Sequence, residues 1–141
     1  MTIKFQKLVA DAKIPTYAHP GDAGLDLYSC EDIVIEPGAR HAVALGFALE
    51  IPHGFVARIL DRSGMAIKSG IHCLAGVVDA GYRGEYKVIM INLGEEAYTI
   101  EKGDRVAQML IQPVEICDIE EVEELSNSER GEGGFGASGK K

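Results

Sequence analysis

At 141 residues, with 46% hydrophobic and 26% charged side chains, the chain has the size and composition of one globular domain with a substantial core. Its net charge of −8 argues against the broad basic surface that nucleic-acid or membrane binding requires, and no apolar run approaches the ~18 residues of a membrane span. Three cysteines (Cys30, Cys73, Cys117) and four histidines (His19, His41, His53, His72) lack metal-ligand spacing, so free thiols in a reducing, cytoplasmic setting are expected and a zinc site is not. The N-terminal Met1-Thr2-Ile3-Lys4-Phe5-Gln6 has neither an apolar stretch nor a cleavage site, so no secretory signal is expected.

In chain order, Ile3 to Leu8 alternates with period two and reads as a strand. Phe55 to Leu60 and Lys87 to Leu93 are short apolar runs of a length that suits buried strands. One brief helix is expected at about Gly64 to Lys68. Val106 to Pro113 places Ala107, Met109 and Ile111 on one face and Gln108 and Gln112 on the other. Turn signals recur at Pro20-Gly21, Pro37-Gly38, Pro52-His53-Gly54, Ser69-Gly70, Ala80-Gly81, Gly94 and Lys102-Gly103-Asp104. Glycine, at 17 residues, is well above its usual share of ~7%. Many short strands at this spacing imply an all-β sandwich, jelly roll or barrel. The acidic run from Glu115 to Glu132 reads as a solvated linker.

Five segments carry chemistry. In Ala23-Gly24-Leu25-Asp26-Leu27, Asp26 points away from its leucine neighbours; alone, it reads as a solvent-facing carboxylate. In Asp61-Arg62-Ser63-Gly64-Met65-Ala66, Arg62 and Ser63 offer a forked cation and a hydroxyl that suit phosphate oxygens. A plain ion pair of Arg62 with Asp61 or another surface acid is the competing reading. Ala75 to Glu85 reads as a hairpin with Ala80-Gly81 near its tip. Asp79 follows two β-branched residues, so partial burial and a raised pKa suited to a general base are expected, against the plainer role of starting a turn. Tyr82 could pack on a sugar, a base or merely its neighbours. In Lys102 to Met109, Gln108 lies inside a strand, where its amide could serve the sheet or a ligand.

The fifth segment is the glycine-rich tail Arg130 to Lys141. Gly131-x-Gly133-x-x-Gly136 imitates a dinucleotide fingerprint, and Gly134-xxxx-Gly139-Lys140 imitates a phosphate-binding loop. Both need a helix to follow, and two residues after Gly139 cannot build one. What the tail does offer is backbone N–H groups, cations and a single ring, Phe135: the parts of a flap that closes over a ligand with phosphates and a flat base.

Taken together and in this order, the segments resemble the five motifs of the trimeric dUTP diphosphatase (dUTPase) family. They are Ala23-Gly24-x-Asp26; Arg62-Ser63-Gly64-Met65-Ala66; Gly76-Val77-Val78-Asp79-x-x-Tyr82-Arg83-Gly84-Glu85; Gly103-Asp104-Arg105-x-Ala107-Gln108; and Arg130-Gly131-x-Gly133-Gly134-Phe135-Gly136-x-Ser138-Gly139. The resemblance implies a β jelly-roll domain over residues 1–125 and a flexible arm over 126–141, in a homotrimer with active sites at subunit interfaces. It implies cleavage of dUTP to dUMP and pyrophosphate with Mg²⁺, which limits uracil in DNA and supplies dUMP for thymidylate synthesis. Asp79 would be the general base. Asp26 would lie near the metal and act through its water shell. Arg62 and Ser63, with Gly64 beside them, and Gln108 would serve the phosphates. Gly76, Val77 and Val78 would pair main-chain groups with uracil, and Tyr82 would pack under the deoxyribose. From another subunit, Arg130 would meet the γ-phosphate and Phe135 would cover the base, with Gly136 and Ser138 in the closing arm.

Two positions depart from the family pattern: Gly81, where an acid is common, and Asp61, where proline is frequent and where an anion beside Arg62 is expected to weaken its grip on phosphate. Two other functions compete. A dCTP deaminase shares the fold but not the tail. A regulatory module would use nucleotide occupancy to bind a protein partner.

Overall fold

The structure, a computed structural model, describes residues 1–134. Among them lie eleven strands and one helix: β1 (Lys4–Lys7), β2 (Leu25–Tyr28), β3 (Ile33–Ile35), β4 (Arg40–Ala44), β5 (Phe47–Glu50), β6 (Phe55–Leu60), α1 (Ser63–Ser69), β7 (Ile71–Leu74), β8 (Val77–Asp79), β9 (Lys87–Asn92), β10 (Tyr98–Ile100) and β11 (Arg105–Pro113). All pairing is antiparallel. The main sheet runs β2-β11-β6-β8, a second runs β4-β9-β7, and β1-β5 and β3-β10 form two-stranded ribbons. This is an all-β jelly roll: the turn spacing predicts the all-β class, and the resemblance implies the jelly roll.

Alternation along the strands builds the core. Ala57 and Ile59 of β6 point inward while Arg58 faces out; Val88, Met90 and Asn92 of β9 point inward while Lys87 and Ile89 face out. Asn92 is polar and fully buried, but its amide donates to the Ile35 and Glu96 carbonyls, both at 2.8 Å, and its Oδ1 accepts from Gly94 N–H at 2.9 Å. A row of rings crosses the core: Phe5 to Phe47 at 5.1 Å, Phe47 to Tyr86 at 5.6 Å, Tyr86 to Tyr82 at 5.9 Å between centroids. The Tyr86 hydroxyl is buried with no hydrogen-bond partner among the described residues.

Two local features position the site. The first lies in β11. Its register against β2 shifts between Arg105 and Ala107, so one extra residue is inserted there. Val106 and Ala107 are both buried in consequence, and Arg105, three residues from Gln108, comes to the same face as that amide. The strand pattern Ala107-Met109-Ile111 holds as expected; the bulge before it leaves no mark in the period.

The second is the segment expected to be a hairpin. β8 ends at Asp79, and Tyr82 N–H closes a turn on the Asp79 carbonyl at 3.0 Å. The return arm is not a strand. Arg83 Nη1 donates to the carbonyls of Ala80 at 2.7 Å and Tyr82 at 2.9 Å, and this bracing holds the arm in an irregular path. β8 takes its ladder from β6 instead. The junction between β7 and β8 requires Gly76: its φ is +103°, and a Cβ there would sit 2.4 Å from the Ile59 carbonyl oxygen.

From Val114 to Gly134 the chain forms neither strand nor helix. Phe135, Gly136 and Ser138 lie outside the described residues.

The core makes a paired prediction. Phe47→Ala removes the middle ring of the row and should lower unfolding free energy by about 3–5 kcal/mol. Tyr86→Phe removes a hydroxyl with no partner and should be neutral or slightly stabilising. Denaturant titration of both variants checks this, and a loss of stability in Tyr86→Phe would show that the hydroxyl is satisfied.

Candidate active site

The register of the main sheet sets out the first cluster. Gln108 of β11 stands opposite Asp26 of β2 on one side and Leu60 of β6 on the other. β6 then runs into Asp61 and Arg62, the residue before α1, so Arg62 and Ser63 emerge next to the Asp26–Gln108 row. These side chains line one concavity with Gly64, Met65, Lys68, Ser69 and Tyr98.

Its electrostatics are built from tied charges. The Asp26 carboxylate, its side chain only 13% exposed, meets Arg105 Nε at 3.1 Å and Arg62 Nε at 3.8 Å. Arg62 Nη1 also donates to the Arg105 carbonyl at 2.9 Å. Two guanidiniums against one carboxylate, with Lys68 on the same concavity, leave a local cation excess in a chain of net charge −8. Asp26 is therefore a held carboxylate, not the solvent-facing one its two leucine neighbours suggest.

Gln108 Nε2 donates to the Asp61 main-chain carbonyl at 2.8 Å. Gly24 makes room for this amide: a Cβ there would come within 2.5 Å of Gln108 Oε1. In the competing ion-pair reading, Arg62 does not meet Asp61; its acid partner is the mostly buried Asp26. Asp61 turns away, its Oδ2 2.7 Å from His72 Nδ1 and its Oδ1 accepting the Cys73 N–H. Burial opposes its charge, but the bonds from His72 and Cys73 prevail and hold the carboxyl below its ordinary pKa.

Asp79 lies elsewhere. It shares a second concavity with Val77, Val78, Tyr82, Glu85, Tyr86, Lys87, Ile89 and Ala42. On β6 its partner is Val56, four residues before Leu60, which is about 13 Å along the strand. One chain thus brings Asp26, Arg62, Ser63, Gly64 and Gln108 together, and Val77, Val78, Asp79 and Tyr82 together, but does not join the two groups. Asp79 is exposed, so the expected partial burial is not found among the described residues: β8 is an edge strand paired there with β6 alone. Tyr82, 45% exposed, is fixed by its hydroxyl donating to the Glu85 carbonyl at 3.0 Å. Arg130 lines neither concavity; its Nε donates to the Gly133 carbonyl at 2.7 Å within its own turn.

Sequence reasoning left Lys68, Tyr98 and Arg105 without roles. Lys68 sits four residues after Gly64, a helical spacing that puts both on one face. Tyr98 and Arg105 arrive through tertiary pairing and the bulge. The His72–Asp61 pair joins residues eleven apart on different elements and has no signal in sequence.

No group of three or more His, Cys, Asp and Glu side chains forms a metal cage among the described residues. Asp26 is a single hard oxygen ligand beside a cationic concavity. That donor set fits Mg²⁺ brought in on phosphate oxygens with its water shell largely kept.

The family model for dUTPase matches residues 10–139. The chain is similar to the deoxyuridine 5′-triphosphate nucleotidohydrolase of Clostridium tetani, 49% identical over 141 residues covering 99% of this chain and 97% of that one. It is similar to that of Clostridioides difficile, 48% identical over 139 residues covering 97% of each. Among solved structures it resembles a variant of the Staphylococcus bacteriophage 80alpha dUTPase with dUpNHpp, with a TM-score of 0.93, 32% identity and 98% of each chain covered. It also resembles a variant of the phage phi11 dUTPase from S. aureus, in which a structural Mg(II) ion is coordinated, with a TM-score of 0.82, 28% identity and coverage of 88% of this chain and 98% of that one.

The Asp61 contact bears on thiol chemistry. Burial first, then the neighbouring Asp61 carboxylate, push the Cys73 thiol up to about 12. Native protein treated with iodoacetamide near pH ~8 should alkylate exposed Cys117 and spare Cys73 until denaturant is added. Mass spectrometry of the labelled peptides checks this; rapid native labelling of Cys73 would contradict the burial.

Proposed function

The chain belongs to the dUTPase family, and we propose that its working site forms where the Arg62–Gln108 concavity of one copy faces the Asp79 concavity of a second, within a homotrimer. The reaction is the hydrolysis of dUTP to dUMP and pyrophosphate. The observation that carries the shared-site reading is the separation of the two concavities within one chain, with Asp79 four residues along β6 from the Gln108 row. Exposed apolar side chains support it: Val77 is 69% and Ile89 38% exposed, both beside Asp79.

The roles follow from chemistry and placement. Among the described residues β8 pairs only with β6, and the Gly76 carbonyl accepts from Ile59 N–H, so alternation leaves the Val77 N–H and C=O on the free edge to suit the polar edge of uracil, with Gly76 and Val78 flanking them. Cytosine presents the opposite donor and acceptor pattern, and such a site can discriminate by as much as ~10⁴–10⁵. Tyr82, held against Glu85, supplies a flat surface under the deoxyribose, where a 2′-hydroxyl would clash. Arg62, Ser63 and Gln108, with Gly64 beside them, hold phosphate oxygens. Asp79 takes a proton from a water as the water oxygen bonds to the α-phosphorus; the bond from that phosphorus to the bridging oxygen breaks, and pyrophosphate leaves with that oxygen. Bound Mg²⁺ would neutralise phosphate charge, and Asp26 is the residue that would hold its water shell. The C-terminal arm of another copy, residues 126–141, would close the site, Arg130 reaching the γ-phosphate and Phe135 covering the base, with Gly136 and Ser138 nearby. Free Cys30, Cys73 and Cys117 support a cytoplasmic setting.

With Mg²⁺, the purified protein should release pyrophosphate from dUTP and little from dCTP, dTTP or UTP, with no ammonia from dCTP. Asp79→Asn should lower turnover by roughly 10²–10⁴-fold while nucleotide binding survives; full activity in that variant would refute the base assignment. Asp79→Asn and Arg62→Ala proteins, each weak alone, should regain part of the activity when unfolded and refolded together, since some mixed trimers then hold an intact site. No recovery in oligomers shown to be mixed would exclude a site shared between copies. Deletion from Arg130 onward should leave a folded protein with badly reduced turnover, and unchanged kinetics would show that the arm is dispensable.

A further inference from the structure

We propose that Asp61 is a positioning residue for the phosphate-holding pair Arg62 and Gln108, locking the turn between β6 and α1 from two sides. This deepens the reading of that pair as phosphate ligands and rests on it.

Asp61 stands immediately before Arg62, where a free anion would repel phosphate. The structure turns that carboxylate toward β7. The two carboxylate oxygens are engaged by His72 Nδ1 and by Cys73 N–H, both on β7. β7 belongs to the second sheet, paired with β9 through Cys73 opposite Met90. The Asp61 main-chain carbonyl, meanwhile, accepts from Gln108 Nε2, in the main sheet, at 2.8 Å. A single residue therefore ties the turn to both sheets, by its side chain to one and by its backbone to the other.

Little else nearby does this. Arg62 is the N-cap residue of α1, but its side chain makes no capping bond; its guanidinium is turned to Asp26 and the Arg105 carbonyl. The bond to Asp61 also orients the Gln108 amide. One Nε2 hydrogen is used on the carbonyl, which leaves the second for a phosphate oxygen, while the missing Cβ of Gly24 leaves room for Oε1. Loosening Asp61 frees Arg62 to drift and Gln108 to rotate. A proline at this position would stiffen the backbone through its ring; here a part-exposed carboxylate does so through two hydrogen bonds.

The experiment compares Asp61→Ala, Asp61→Asn and Arg62→Ala with the parent protein. It measures kcat, KM, and inhibition constants for deoxyuridine and for a non-hydrolysable dUTP analogue. Asp61→Ala should weaken the analogue about tenfold or more, with deoxyuridine within about twofold, because only the triphosphate end feels the loosened turn. Asp61→Asn keeps an acceptor for Cys73 N–H and can donate to a neutral His72, so it should recover most of the loss. If Asp61→Ala lowers only the melting temperature, and the ratio of the two inhibition constants stays at the parent value, Asp61 is merely structural and the proposal is overturned. Should that variant fail to fold, His72→Ala, which removes one of the two side-chain bonds from an exposed ring, should shift the same ratio in the same direction; no shift overturns the proposal. Arg62→Ala separates the two levels. A loss there with none at Asp61 sinks the positioning role alone, whereas no loss in either sinks the phosphate reading and this inference with it.

Discussion

The ladder between β11 and its two neighbours governs the functional half of this chain. β2 and β6 can bring Asp26 and Leu60 level with Gln108 only in one register, because a slip of a single residue would send Leu27, Ala57 and Met109 out of the core. The bulge before Ala107 then adds what a regular strand could not. Arg105 and Gln108 would project to opposite faces of an ideal strand; the extra residue puts them on one face, and Arg105 reaches Asp26. The cationic concavity is thus a by-product of the same hydrophobic register that makes the fold.

Three aspartates show how an acidic protein prepares a place for an anion. Asp26 is matched by two guanidiniums, and Asp61 is spent on His72 and the Cys73 N–H. Under the proposed function, Arg62 and Lys68 would set the local sign where phosphate is held. Asp79 differs: among the described residues no hydrogen bond or ion pair engages its carboxylate, and it stands exposed on an edge strand. A carboxylate without a partner is available to take a proton, whereas the two that are tied up are suited to holding geometry.

The two separate concavities are what the proposed site, shared between copies, accounts for. β8 offers one free edge and a pair of exposed apolar residues, Val77 and Ile89, beside an uncommitted acid. The cations proposed to hold the triphosphate stand on rows farther along the same sheet. Under the proposed function a second copy would bring them together, and covering the exposed apolar surface would give that copy a reason to dock.

Much of this was legible from the residues in order. Strand alternation and glycine punctuation identified an all-β fold. The short helix at Gly64 to Lys68 fell within α1, and the five spaced motifs pointed to the family that the comparisons support. Those features are local, or depend only on residue identity at fixed spacing, so the chain carries them without folding. The bulge at Arg105, the irregular arm after Asp79, the turning of Asp61 toward His72 and the pairing of Asp26 with Arg105 were settled by tertiary structure. Each depends on which face a side chain takes or which distant strand lies alongside, and that is decided by packing the whole core, not by any stretch of the chain considered alone.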